Sequence, residues 1–267
     1  LTDLHEQTHR RFNPLTGQWV VVSPRRLERP WQGAVEERPD PRLPAYDPSC
    51  YLCPGNRRAS GKSNPRYSGT FAFDNDFPGL SQSSHGTVDS DDGIFRARGE
   101  RGICRVLCFN PRHDLTLPLM DVDGIRSVVE AWQQQTEELG AVPWVQHVQI
   151  FENKGELMGC SNPHPHCQIW ATESLPNEPR SELYFQKRFF GQNGDCLLCR
   201  YVREERIRKE RIVLETSHFI TVVPYWAIWP FETLVMPKTH CGRLTLLTSE
   251  QVQDLAVCLQ RMTIRYD

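Results

Sequence analysis

The order of signals along the first 170 residues returns along the rest of the chain, and this repetition limits the fold more than any other feature. "CYLC" (50–53) is followed by strand-like runs ending in "GICRVLCFNPRH" at His113, and then by a helix-like stretch, "LMDVDGIRSVVEAWQQQTEELG". "CLLC" (196–199) is followed by "RIVLETSHFITVVP", by "ETLVMPKTH" ending at His240, and by "LTLLTSEQVQDLAVCLQRM". A period of about 140 residues is too long for a solenoid repeat and points to two fused half-domains. The polar breaks "ESLPNEPRSE" and "GQNGD" read as the linker, giving halves of 1–178 and 179–267.

Local signals place the elements. Asp121 stands as the N-cap of a helix whose Val122, Ile125, Val129 and Trp132 keep helical spacing, with Gly140 expected just past its end. Thr248 and Gln251 form a capping-box pattern before the last helix. "NPLTGQWVVVSPRR" reads as a turn, a strand over Trp19–Val22 and a Pro-Arg-Arg loop. Residues 30–68 read as an extended wrap, "TFAFDNDFPGL" as strand then loop, and "SQSSHGTVDSDDG" as an exposed loop. "WVQHVQIFEN" and "HCQIWA" read as two further strands.

The stretch "GCSNPHPHCQIW" (159–170) concentrates the chemistry. In an extended segment His164, His166 and Gln168 share one face, roughly 7 Å apart from one to the next. Pro163 and Pro165 remove two backbone donors and fix φ, which argues for an edge strand or a bulge. Cys50, Cys53, His113 and one histidine of the 164/166 pair make a Cys₂His₂ set suited to tetrahedral Zn²⁺. The histidine left over is a neutral imidazole in a stiff polar turn, a competent nucleophile. Backbone N–H groups around Gly159–Ser161, the Ser161 hydroxyl and the Gln168 amide suit the charge that builds on phosphoryl oxygens. Arg26 and Arg29 in "SPRRLERPWQG" read as part of a solvated loop, with neutralisation of a second phosphate as the alternative. Asn75 and Asp76 in "FDNDF" carry groups that read ribose hydroxyls or base edges. Cys196 and Cys199 form a second candidate metal pair without obvious third and fourth ligands; His240 is either one of these or the cap of a strand end.

Bulk properties exclude several classes. A chain of 267 residues has length for a sizeable core, and its net charge of −2 offers no broad basic field for nucleic acid or an anionic membrane. No apolar run approaches the roughly 18–20 residues of a membrane span, and the polar start "LTDLHEQTHRRF" is no signal peptide. Without a secretory signal, ten cysteines in partly strand-like runs read as free thiols of a reduced, cytoplasmic protein.

Longer matches then identify a family. "RRFNPLTGQWVVVSPRRLERPWQG", "FDNDFP", "PWVQHVQIFENKGELMGCSNPHPHCQIW", "SLPNEP" and "VVPYWAIWPFETLVMPKTH" run nearly end to end, and through them the chain resembles the galactose-1-phosphate uridylyltransferases of the histidine-triad superfamily. The resemblance implies an α+β fold of two fused histidine-triad halves, each an antiparallel sheet with a helix packed on one face. It implies exchange of UMP between UDP-glucose and galactose 1-phosphate through a uridylylated histidine, in the Leloir pathway of galactose metabolism. His166 is then the nucleophile, and His164 a zinc ligand with Cys50, Cys53 and His113. Ser161 and Gln168 hold the α-phosphoryl group. Asn153 and the Gly159–Cys160–Ser161 turn lie along the nucleotide and phosphates, and Asn75 and Asp76 lie at the nucleoside. Arg26 and Arg29 reach a substrate across a homodimer interface. Glu182 matches the acidic ligand of a second, iron-binding site whose histidine partners lie beyond residue 267.

The family continues past the "RYD" at residue 267, so the second half is expected to be incomplete and C-terminally truncated, with the apolar helix face Val252, Leu255, Leu259 and Met262 uncovered. Rival readings are a related nucleotide-sugar phosphorylase or adenylyltransferase, and an inactive zinc or nucleotide-binding module.

Overall fold

The computed structural model describes residues 6–30, 43–89 and 93–267, so part of the wrap expected over 30–68 lies outside the described residues. They group into two compact units. One is built from the described part of Arg42–Pro176 together with Cys241–Asp267, the other from that of Leu1–Pro41 together with Asn177–His240.

The first unit centres on a four-stranded antiparallel sheet. Its strands are β3 (Phe71–Asp74), β6 (Gly102–Cys108), β7 (His147–Phe151) and β8 (His166–Thr172), in the order β3-β6-β8-β7. Two short strands, β4 (Thr87–Asp89) and β5 (Arg96–Arg98), form a separate antiparallel ribbon. The stretch expected as an exposed loop therefore carries a strand.

β8 is an interior strand, not the edge that its prolines suggested. Cys108 pairs with His166 and Val106 with Gln168 on one side, while Phe151 pairs with Gln168 on the other. The prolines precede the first laddered residue. Pro165 lacks a donor, but its carbonyl accepts from Phe109 N–H (3.0 Å), so the ladder runs on through it.

Alternation along β8 divides its two jobs. Cys167, Ile169 and Ala171 are buried in the main core, while His166, Gln168 and Trp170 form the half-buried opposite face. Above the core face lies α1 (Val122–Gly140), which supplies Ile125, Val128 and Leu139. Full burial of side chains of this size is worth about 1.5–3 kcal/mol each. The Asp121 side chain accepts from Gly124 N–H (2.7 Å), as the sequence leads one to expect, but Gly140 is the last helical residue and Ala141 the cap.

The last helix, α4 (Ser249–Tyr266), packs against α1. Val252, Leu255 and Met262 are buried and Leu259 packs on the main core, so the apolar face expected to lie bare is covered. Gln260 Nε2 also donates to the Met120 carbonyl (2.7 Å). The helix starts on the expected capping box, with Gln251 N–H donating to the Thr248 hydroxyl (3.3 Å) and Gln251 Oε1 accepting from Thr248 N–H (2.9 Å).

The second unit carries the antiparallel sheet β11-β10-β9, from β9 (Ile212–Glu215), β10 (Phe219–Val222) and β11 (Leu234–Pro237). Helix α3 (Leu197–Arg208) packs Val202 against Ile220, Val222 and Met236. The hairpin of β1 (His9–Asn13) and β2 (Gln18–Val22) turns at Gly17, where φ is +72° and a Cβ would meet the Phe185 ring at 2.1 Å. Phe185 belongs to α2 (Asn177–Asn193), which occupies the stretch expected to be a polar linker. Pro24–Glu28 forms a single 3₁₀ turn rather than an open loop.

Candidate metal centre and active site

Beneath the half-buried face of β8 lies a second small core: Cys50, Leu52, Cys53, Val106 and Cys108, with Tyr67, Phe71 and Phe73 around it. Four donor residues converge here. Cys50, Cys53, His113 and His164 are all buried, and their ligand atoms lie within 4.8 Å of one another. Cys53 Sγ stands 3.5 Å from His164 Nδ1 and 3.7 Å from His113 Nδ1. A zinc tetrahedron with Zn–S of about 2.3 Å and Zn–N of about 2.0–2.1 Å separates sulfur from nitrogen by about 3.5–3.6 Å along an edge. The donor set fits such an ion in number, element and spacing.

The surroundings prepare the donors. Tyr67 is half-buried, which pushes its phenol far up and keeps it protonated, and its hydroxyl donates to the Leu52 carbonyl (2.6 Å). The Tyr67 oxygen (3.2 Å) and the Asn110 carbonyl (3.1 Å) are therefore both acceptors for His164 Nε2–H. The proton sits on Nε2, and the Nδ1 lone pair faces the cluster. Asn162 Oδ1 accepts from His164 N–H (2.9 Å), while Asn162 Nδ2 (3.5 Å) and Leu52 N–H (3.3 Å) donate to Cys50 Sγ. Burial lowers the His164 imidazole to about 4 and pushes the Cys53 thiol up to about 11. A dication among the four donors reverses the second effect, because it draws the proton off a coordinating thiol.

Next to this cluster opens a cavity of about 320 Å³, lined by His166, Gln168, Ser161, Asn75 and Asp76 with Tyr51, Leu52, Ala59, Phe73, Phe77 and Val106. Its size and its apolar walls with a few converging polar groups are those of a small-ligand cleft. His166 Nδ1–H donates to the carbonyl of His164 (2.7 Å), which leaves Nε2 with the lone pair. Burial holds the His166 pKa below the ordinary imidazole value, so the ring is neutral near pH 7. The Trp170 indole donates to Gln168 Oε1 (3.2 Å), leaving the amide NH₂ as the end that donates to a ligand. Asn75 Oδ1 accepts from Phe77 N–H (2.9 Å), which likewise directs its NH₂ outward. Asp76 Oδ2 accepts from Ser60 N–H (3.3 Å) and lies 3.7 Å from Arg58 Nε.

Other residues singled out in the sequence are placed differently. Asn153, Gly159 and Cys160 lie on the loop between β7 and β8 and do not line this cavity. Gly159 is left-handed (φ +83°) and ends the turn Glu156–Met158. Arg26 and Arg29 are exposed, within and just after the 3₁₀ turn of the second unit. Glu182 is half-buried on α2, and no metal-type cluster among the described residues includes it. Sequence reasoning missed Tyr67, Asn110 and Asn162, which hydrogen-bond His164 or Cys50, and Trp170, which hydrogen-bonds Gln168. They carry no motif, and only the tertiary contacts reveal them.

An antiparallel sheet with His-x-His-x-Gln leading into an interior strand, above a buried Cys₂His₂ cluster, is what the histidine-triad resemblance implies. Comparison with known proteins narrows the class. Models of the galactose-1-phosphate uridyl transferase N-terminal and C-terminal domains match residues 1–176 and 180–267. Galactose-1-phosphate uridylyltransferase from Haemophilus influenzae is 52% identical over 98% of this chain and 74% of its own length. The enzyme of the same name from Rattus norvegicus is 49% identical over 98% and 69%. Among solved structures, a uridylyltransferase superposes with a TM-score of 0.72 at 27% identity, covering 94% of this chain and 72% of that one. ADP-glucose phosphorylase from Arabidopsis thaliana with bound ADP-glucose gives 0.73 at 25%, covering 96% and 76%. The chain belongs to the galactose-1-phosphate uridylyltransferase family, a family of enzymes.

Proposed function

We propose that the protein exchanges a uridylyl group between UDP-glucose and galactose 1-phosphate, as its relatives' names describe, through a covalent adduct on His166. The observation that carries this reading is the His166 tautomer: Nδ1–H is committed to the His164 carbonyl, which leaves Nε2 with the lone pair, and His166 lines a cleft of about 320 Å³. In the first step Nε2 attacks the α-phosphorus of UDP-glucose. The N–P bond forms as the bond to the bridging oxygen breaks, and glucose 1-phosphate leaves with that oxygen. In the second step a phosphate oxygen of galactose 1-phosphate attacks the same phosphorus, the N–P bond breaks, and UDP-galactose leaves. Two displacements at one histidine give ping-pong kinetics.

The Gln168 amide and the Ser161 hydroxyl donate to the non-bridging oxygens as charge builds there. Asn75 and Asp76 hold the nucleoside, and Asn153 and the Gly159–Cys160 turn follow the phosphates. In a homodimer, Arg26 and Arg29 reach the substrate bound by the other copy. Cys50, Cys53, His113 and His164 would hold zinc, which supplies a rigid closed clamp at the entry to β8 rather than chemistry at phosphorus. The two sequence halves, 1–178 and 179–267, represent fused histidine-triad units. A reduced cytoplasmic setting suits cysteines that are free throughout.

The test is turnover with defined substrates. UDP-glucose and galactose 1-phosphate should yield glucose 1-phosphate and UDP-galactose, and His166→Asn should abolish this while the protein keeps its fold. The likeness to a phosphorylase bound to ADP-glucose raises a second reading. Preference for ADP-glucose with inorganic phosphate as acceptor would replace the first reading with that one.

A further inference from the structure

The face of β8 that carries His166 and Gln168 continues to Trp170, and no step of the transfer uses that residue. An indole N–H donates and has no lone pair with which to accept. Standing 3.2 Å from Gln168 Oε1, it decides which end of the amide lies beside it: the oxygen is held there and the NH₂ is turned away. Among the described residues, this is the one hydrogen bond that the Gln168 amide makes with the protein. Nothing else on the page tells the amide oxygen from the amide nitrogen. Reversed, the amide would turn an oxygen lone pair towards the phosphoryl group.

The indole is itself held from two sides. The Phe151 ring meets it edge-on, with centroids 5.8 Å apart and planes at 72°. Gly79, in the loop after β3, lies so close that a Cβ there would stand 3.0 Å from Trp170 Cη2 and 3.2 Å from Cζ2. Carbon atoms pack best at about 3.5–4.0 Å, so any side chain at position 79 has to push the ring. Gly79, Phe151, Gln168 and Trp170 all belong to the first unit, and the whole arrangement is built within it.

We propose that Trp170 is a positioning residue for phosphoryl transfer: its indole N–H holds Gln168 with the NH₂ presented to the phosphoryl oxygens, and Gly79 and Phe151 hold the indole. The proposal deepens the uridylyl-transfer reading and rests on it. Trp170 does not line the His166 cleft, so it acts through the amide. Charge builds on the non-bridging oxygens in both displacements, and a donor aimed at them gains strength in the transition state over the ground state. Loss of the indole N–H should therefore appear in kcat, in both half-reactions alike, with little change in KM.

The experiment is a double-mutant cycle with UDP-glucose and galactose 1-phosphate as substrates. Trp170→Phe keeps an aromatic ring and removes the donor. It should lower kcat by about 10-fold, the effect of one orienting hydrogen bond, with KM for UDP-glucose little changed. Introduced into Gln168→Ala, the same change should do nothing further, because the group it orients is gone. Gly79→Ala keeps the donor and displaces the ring, so it should lower kcat by less and should also be silent in Gln168→Ala. If Trp170→Phe does not fold, Gly79→Ala carries the cycle. Equal losses in both backgrounds would make Trp170 a packing residue and overturn the proposal, as would an unchanged kcat in Trp170→Phe. An NMR readout without substrate separates this outcome from failure of the transfer reading. The Trp170 indole N–H resonance, identified by its loss in Trp170→Phe, should move upfield in Gln168→Ala as its acceptor disappears. A resonance that stays in place overturns the positioning role alone. A wild type that transfers no uridylyl group overturns the transfer reading, and this role with it.

Discussion

The two "CxxC" motifs have the same spacing and end up in different surroundings. Around Cys50 and Cys53 the chain brings two buried histidines, and it sets Asn162, Tyr67 and two main-chain carbonyls behind the donors. Around Cys196 and Cys199 it brings one exposed histidine at the wall of an open cavity. Four buried donors with their outer hydrogen bonds suit a closed, structural type of centre, whereas the three donors of the second set are more exposed. The same four-residue motif thus sits in a buried set of four donors in one unit and in a half-exposed set of three in the other. What decides is how many strand-end histidines the fold delivers, and how deep.

Removing His166 is expected to have the largest effect. His166→Asn should lower turnover by at least about 10⁴-fold, as loss of a covalent nucleophile does elsewhere, with zinc content and melting temperature near wild type. A matched fall in zinc content would instead make His166 part of the clamp. Next comes the clamp itself. Cys50→Ser/Cys53→Ser should lose one zinc and several kcal/mol of stability, and uridylyl transfer with them, because His164 positions both the metal and the His166 ring. Cys196→Ser/Cys199→Ser should cost less stability and leave transfer measurable. Equal losses of stability in the two double mutants would remove the distinction between the buried and the half-exposed cluster.

Much of the Cys₂His₂ cluster and of the His166 face was legible in the sequence, for reasons that the structure makes plain. Strand periodicity places His166 and Gln168 on one face, and it sends Cys167 into the opposite core. A capping box needs only four consecutive residues, so the start of α4 reads directly. The failures share a cause, which is that neighbours in space leave no local trace. Pro163 and Pro165 suggested an edge, yet they precede the ladder, and the Pro165 carbonyl still accepts a hydrogen bond. "ESLPNEPRSE" looked like a linker, but Pro179 falls in the first turn of α2, where the helix has no use for its missing N–H. The apolar stripe of α4 and the helix α1 were both visible, but the packing of one on the other was not.

Smaller perturbations probe the outer hydrogen bonds. Asn162→Ala removes the donor to Cys50 Sγ and the acceptor for His164 N–H. It should weaken zinc retention by about 10- to 100-fold, measured by competition with a chromogenic chelator. Retention unchanged from wild type would show that the donors hold the ion without this support.

The pH response of zinc-stripped protein gives a subtler check. The folded pKa of His164 is held at about 4 against an ordinary value of 6.5. The unfolded chain therefore takes up a proton that the folded chain refuses, and stability is lost as pH falls from 6.5 towards about 4. The melting temperature of His164→Gln, stripped in the same way, should fall less over that window. An identical fall would place the acid sensitivity elsewhere.

The most direct test of the account is to locate the phosphorus on His166. Incubation with UDP-glucose alone, followed by rapid isolation at alkaline pH, should give a protein heavier by one uridylyl group on His166. Phosphorus NMR should assign that group to Nε2, because Nδ1–H is held by the His164 carbonyl. A uridylyl group on Nδ1, on another residue, or on none at all in a protein that turns over would contradict the geometry from which the mechanism is built.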